Sequence, residues 1–133
     1  FKNISMALKK KNPVIQIYGN DYNTPDGTTI RDYIHVSDLA DIHYKILKKI
    51  SETNKSTIVN CGYFKGTSVK KVINEFKKHS KKKIDILYRG RRAGDLAMVI
   101  ANNKKLKKFI NWNPKYYRLS TIVKSCIQWE KNN

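Results

Sequence analysis

The stretch Asp21-Tyr22-Asn23-Thr24-Pro25-Asp26-Gly27-Thr28-Thr29-Ile30-Arg31-Asp32-Tyr33-Ile34-His35-Val36-Ser37-Asp38-Leu39-Ala40-Asp41-Ile42-His43 decides how the rest of the chain is read. It opens as a polar loop with turn chemistry at Pro25-Asp26-Gly27. It then runs mostly extended from Ile30 to Val36. Ser37 is the expected N-cap of a helix from Asp38 to about Ile50, with Leu39, Ile42, Ile46 and Ile50 on one face and aspartates in the first turn. Val14-Ile15-Gln16-Ile17 reads as a short strand just before the loop. Loops at strand ends are where α/β proteins bind ligands.

The same stretch is set apart by charge. The chain has 133 residues and a formal net charge of +18, from 28 basic and 10 acidic residues. From Asn12 to Tyr44 the sign reverses: Arg31 is the one Lys or Arg, against Asp21, Asp26, Asp32, Asp38 and Asp41. A basic excess commonly points to nucleic acid. Here lysine makes up 23 of the 28 basic residues, and Ile, Lys and Asn together make 52 of the 133, as an AT-rich gene would give. Nucleic-acid surfaces favour arginine forks near stacking aromatics. The lysines instead run along expected helix faces and ends, so a solvated surface is the favoured reading and no nucleic-acid partner is expected.

Outward from the stretch, Lys2 to Lys11 reads as the tail of a helix, stopped by Asn12-Pro13. Thr57 to Asn60 is expected as a short strand. Ser68 caps a helix carrying Val69, Val72, Ile73 and Phe76 at amphipathic spacing. Ile84 to Tyr88 reads as a strand, Arg89 to Asp95 as a polar loop and Lys104 to Ile110 as a short helix. Ser120 is the expected cap of a last helix that buries Ile122, Val123, Cys126, Ile127 and Trp129. Strands alternating with helices give an α/β or mixed α+β fold. No apolar run approaches the roughly 18 residues of a membrane span, so no membrane partner is expected. Cys61 and Cys126 make neither a disulfide framework nor a metal quartet, and a cytoplasmic setting is expected. The chain opens on Phe1 rather than Met, which reads as something other than a natural start.

Two regions are dense in chemistry. Arg31, alone among acids and aromatics, suits a charge-assisted contact to a phosphate or carboxylate. It suits equally well a simple pair with Asp32 or a neighbouring carboxylate. The second region is Arg89-Gly90-Arg91-Arg92-Ala93-Gly94-Asp95. Four of the five arginines lie in these two regions of a lysine-rich chain, which suggests a need for planar, bidentate geometry, as in diphosphate binding. Asp95 could accept from two sugar hydroxyls. The plainer alternative is an exposed basic turn.

The run from Asp21 to His43 resembles the signature of UDP-glucose 4-epimerases, members of the extended short-chain dehydrogenase/reductase family. Asn60-x-Gly62, Gly66-x-Ser68-Val69, Arg91-Arg92-x-Gly94-Asp95 and Asn111-Trp112 follow in the same order. The resemblance covers essentially the whole chain and corresponds to roughly the C-terminal two-fifths of such an enzyme. It implies the substrate-binding part of an extended short-chain dehydrogenase/reductase, lacking most of the Rossmann domain. It also implies that residues 38–60 pack on that missing domain. By position, Gln16, Ile17 and Tyr18 match a segment beside the uracil. Arg31 and Arg92 match arginines on the diphosphate, Asp95 matches a carboxylate on the ribose, and Tyr33 supports Arg31 or the phosphates. Val99 stands where family members often carry a tyrosine near the ligand, Asn102 for a common aspartate, and Phe64 for a usual glycine.

What the resemblance implies for the full enzyme is interconversion of UDP-glucose and UDP-galactose through an NAD-dependent keto intermediate, in a homodimer. The glycines at 19, 27, 62, 66, 90 and 94 form no G-x-G-x-x-G turn for the dinucleotide. Tyr44-x-x-x-Lys48 fits the family's Tyr/Lys spacing but lies in the wrong helix, and the catalytic pair is expected upstream of Phe1. His35, His43 and His79 lack partners at metal-ligand spacing and read as structural. The chain alone is expected to be inactive and to bind no cofactor or metal. A non-catalytic UDP-sugar module and a basic nucleic-acid-binding remnant are the other readings.

Overall fold

The structure is a computed structural model and describes residues 1–132. In β1 (Val14–Tyr18), Ile15 and Ile17 are buried while Val14 and Gln16 are exposed, the period of two that a strand imposes. Ahead of it stands the short helix α1 (Lys2–Ala7). β1 pairs in parallel with β4 (Asp85–Arg89), from Val14 opposite Asp85 to Tyr18 opposite Arg89. Helix α3 (Val69–Ser80) lays Val72, Ile73 and Phe76 against Ile15 and Ile17, with Ile4, Leu8, Ile84 and Val123 completing the first core. Val123 comes from α5 (Leu119–Asn132).

β2 (Ile30–Arg31) is the centre of a second, three-stranded sheet. It runs antiparallel to β3 (Thr67–Ser68) and parallel to β5 (Met98–Val99), with Arg31 opposite Thr67 and Val99. A second core gathers Ile42 of α2 (Val36–Thr53), Leu106 of α4 (Lys104–Phe109), Ile110 and Trp112. The mixed α/β architecture is what the alternation of elements predicts, and its sheets are small, of two and three strands.

The boundaries correct the sequence reading in four places. α2 starts at Val36, and its cap is His35, whose Nδ1 accepts from the Ser37 N–H at 3.1 Å. Ser37 therefore sits inside the first turn. The paired strand within the extended stretch covers only Ile30–Arg31; residues 32–35 make no ladder, and His35 keeps extended dihedrals of φ −71° and ψ 138°. Residues 57–60 keep an alternating burial but form no ladder among the described residues. Val59 and Cys61 rest on the second core, so the β-branched pattern there records packing of an irregular segment. Finally, α5 begins at Leu119 with Thr121 and Ile122 N–H groups donating to the Arg118 carbonyl, which leaves Ser120 within the helix. Its Trp129 is 68% exposed rather than buried.

Candidate functional site

The parallel pairing of β1 and β4 brings two loops to one end of the sheet. Gly19 follows β1 and donates its N–H to the Arg89 carbonyl at 2.9 Å, tying the loops together at their roots. Its φ of +81° is open to glycine and strained for other residues, and a Cβ there would run into the Tyr22 ring. Tyr22 is buried beneath the Arg91 guanidinium, whose carbon lies 4.4 Å from the ring centroid. Arg91 also reaches Asp21 twice, Nε to Oδ1 at 2.8 Å and NH2 to the backbone oxygen at 2.6 Å. The Arg91 hydrogen bond holds the Asp21 carboxyl below its ordinary pKa. Sequence reasoning left Arg91 without a role of its own. Two adjacent arginines do not reveal which of them is turned back onto the protein.

Arg92, the neighbour, lies over Tyr18 with its guanidinium carbon 3.6 Å from the ring centroid. Tyr18 in turn donates its hydroxyl to Gln16 Oε1 at 2.9 Å. Ile17 differs from these two, because its side chain belongs to the first core and leaves only its backbone for any ligand. Arg31 is held at the centre of the second sheet. Its NH1 donates to the carbonyls of Ile30 at 2.8 Å and Leu96 at 2.9 Å. Its NH2 pairs with Asp95 Oδ1 at 3.2 Å. The carboxylate that Arg31 meets is thus Asp95, from the loop ahead of β5, and not Asp32. Tyr33 stands in another neighbourhood, edge-on to Phe1 with centroids 4.8 Å apart and packed on the first core. Burial pushes its hydroxyl pKa up, with the Arg31 charge pulling the other way.

The remaining acids of the stretch serve the scaffold. Asp26 accepts from Ser68, and from the Thr28 hydroxyl at 2.6 Å and N–H at 3.0 Å. Asp32 accepts the N–H groups of Tyr63 at 3.1 Å and Phe64 at 2.9 Å. A Cβ on Gly62 would meet the Asp32 carboxylate at 2.6 Å, which explains the glycine. Asp38 is 2% exposed and takes three hydrogen bonds, from the Tyr63 hydroxyl at 2.6 Å and the N–H groups of Lys115 and Tyr116 at 3.0 and 2.9 Å. Burial works against its ionised form, but the Tyr63 and backbone donors win and leave its pKa lowered.

One constellation imitates a hydrolase. Ser125 Oγ lies 2.9 Å from His35 Nε2. However, His35 Nδ1 accepts from Ser37, so the neutral ring carries its proton on Nε2 and donates toward Ser125. Ser125 passes its own proton to the Ile122 carbonyl at 2.9 Å. A histidine in that tautomer cannot take the serine proton, so the network holds α5 against the α2 cap. Tyr44 and Lys48 lie exposed on α2. Among the described residues no three His, Cys, Asp or Glu side chains are grouped to hold a metal, and no helix is long and apolar enough to cross a membrane. β3 runs straight into α3 under a Ser68 cap, 3.2 Å from the Lys71 N–H, without a glycine turn.

Comparisons with known proteins bear on the family and the fold. The family model described as GDP-mannose 4,6 dehydratase matches residues 1–126. A UDP-glucose 4-epimerase of Azospirillum brasilense is 40% identical over 126 residues, which are 95% of this chain and 36% of that protein. The structure of a UDP-Glc/GlcNAc 4-epimerase from Campylobacter jejuni superposes with a TM-score of 0.88 at 39% identity, over 99% of this chain and 40% of that one. A UDP-glucose 4-epimerase from Bifidobacterium longum, solved with NAD+ and UDP, gives 0.89 at 32% identity, over 99% and 39%. The chain therefore spans little more than a third of the length of the curated relatives it matches. It belongs to the family that the GDP-mannose 4,6 dehydratase model describes, and its fold is that of the corresponding part of UDP-glucose 4-epimerases.

Proposed function

We propose that this chain is the C-terminal, nucleotide-diphosphate-binding portion of a UDP-sugar 4-epimerase. The observation that carries the reading is two contacts between unlike groups, one rooted on β1 and one on β2, joined by the short loop ahead of β5. An aromatic face (Tyr18), two planar cations (Arg31 and Arg92) and a carboxylate (Asp95) lie in contact pairs, drawn from β1, β2 and one four-residue stretch of loop. A uridine diphosphate asks for a π-face for its base, forked donors for two phosphates and an acceptor for its ribose diol. Gln16 and the Ile17 backbone border the base position. Tyr33 supports Arg31 indirectly, from its seat on the first core two residues along the chain.

In the longer protein, NAD would supply the oxidising and reducing steps of a 4-epimerase from residues outside this chain. The relatives solved with NAD and UDP-sugar ligands support that reading. A homodimer is the corresponding proposal for assembly. Residues 38–60 are the surface proposed to face the nucleotide domain, since α2 and the unpaired alternating segment both carry exposed apolar side chains. The chain alone is expected to turn over no UDP-sugar.

Calorimetric titration with UDP tests the site. The wild-type chain is expected to bind, and Arg92→Ala to weaken binding by roughly tenfold or more, the loss expected of a charge-assisted contact. No UDP binding, or equal binding by Arg92→Ala, would overturn the reading. Epimerase turnover by the pure chain would overturn its predicted inactivity.

A further inference from the structure

The groups assigned to the nucleotide are already partnered with one another. Arg31 has two donors spent on fixed carbonyls, Ile30 O and Leu96 O, which lock the guanidinium to the sheet. Its NH2 is held by Asp95 at 3.2 Å. Both side chains are about a third exposed or less, so the contact is partly shielded from solvent. An anion that approaches Arg31 must displace this carboxylate. If it brings nothing else, it leaves Asp95 beside a phosphate, a like-charge contact that costs binding energy. A nucleoside diphosphate brings a diol as well, and the displaced carboxylate gains two hydroxyl donors.

We propose that Asp95 is a specificity gate, holding Arg31 against anions that carry no sugar diol and yielding it to a nucleoside diphosphate. The role rests on the nucleotide reading above, but half of it concerns bare anions and is measured without any nucleotide. Arg92 follows the same logic, since its guanidinium occupies the Tyr18 face until a base takes it. Bare diphosphate, which has no ring to offer, displaces neither contact with profit. The gate matters in a molecule of net charge +18, which attracts every polyanion in solution.

The test is titration of the chain with inorganic pyrophosphate and with UDP, for wild type, Asp95→Asn and Asp41→Asn. Asp95→Asn is expected to bind pyrophosphate about fivefold more tightly, the scale of one part-exposed ion pair, and UDP more weakly. Asp41→Asn removes the same charge from an i,i+4 pair with Lys45 on α2, and is expected to change neither. Arg31→Gln added to Asp95→Asn should erase the pyrophosphate gain. Opposite signs for the two ligands are the signature of a gate. Pyrophosphate affinity that is unchanged or lowered in Asp95→Asn, or raised equally in Asp41→Asn, would overturn it. A pyrophosphate gain with no UDP binding in any variant would instead sink the nucleotide reading, leaving Asp95 as a mask over an anion site of another kind. Far-ultraviolet circular dichroism of each variant separates these results from unfolding.

Discussion

Asp38 shows what a single residue of the signature does. It is buried with three donors aimed at it, so its charge is stabilised chiefly by hydrogen bonds, with a smaller electrostatic contribution from His35. Replacing it with alanine strands the Tyr63 hydroxyl and two backbone N–H groups, and is expected to cost about 3 kcal/mol in urea unfolding. Its pKa is lowered from 3.8, as is that of Asp26. A carboxyl depressed by folding contributes its stability above the unfolded value and loses it as pH falls through the folded one. The thermal midpoint should hold from neutrality to about pH 4 and fall below it, with a shallower fall in Asp38→Ala. An acid limb of equal steepness in that variant would count against this account. The sequence reveals that acids cluster here but not which of them face inward. Arg31 and Asp95 were legible as chemistry because planar cations are scarce in this chain. The Asp21–Arg91 clamp spans 70 residues of sequence and could not be seen.

At the level of elements, apolar spacing located α2, α3 and α5, because a buried stripe at 3.6-residue period has few other causes. It did not fix the helix starts. Ser37 has the side chain of a cap, yet His35 takes the position. The imidazole there serves three partners at once: the Ser37 N–H, Ser125 Oγ and the Tyr116 ring, 4.7 Å away between centroids. Local propensity is worth less than this tertiary network. The two residues should therefore respond differently to alanine. His35→Ala is expected to lower stability by about 2 kcal/mol, from cap and stacking together, and Ser37→Ala by under about 0.5 kcal/mol. Equal losses would restore Ser37 as the cap. The strand expected at 57–60 failed for a related reason. Alternation marks which side chains turn inward, but a strand also needs a partner ladder, and the sequence of one segment cannot supply it. Phe64 shows the opposite outcome: the resemblance marks it as a glycine position, and its φ of +60° is the conformation glycine accepts.

For the molecule as a whole, the decisive balance is between an unusual charge and an unusual apolar surface. Tyr44 and Leu47 of α2 are 69% and 65% exposed, and Ile58 is 86% exposed. A groove of about 220 Å3 runs along the helix between Ile42, Ile46, Leu47, Ile50 and Cys61. A patch of this kind favours association, while +18 charges on each copy oppose it. The opposition is long-range and therefore sensitive to salt. With a screening length of about 30 Å at 0.01 M and about 8 Å at 0.15 M, repulsion between whole molecules fades and contact between apolar faces does not. Sedimentation should find a monomer in dilute buffer and larger species as salt rises. Leu47→Lys places a charge in the groove without touching either buried core, so it should suppress association at every salt concentration and leave the thermal midpoint unchanged. Association of Leu47→Lys equal to wild type would place the contact elsewhere on the surface. Association strongest in dilute buffer would assign it to pairing of opposite charges, with the α2 face uninvolved.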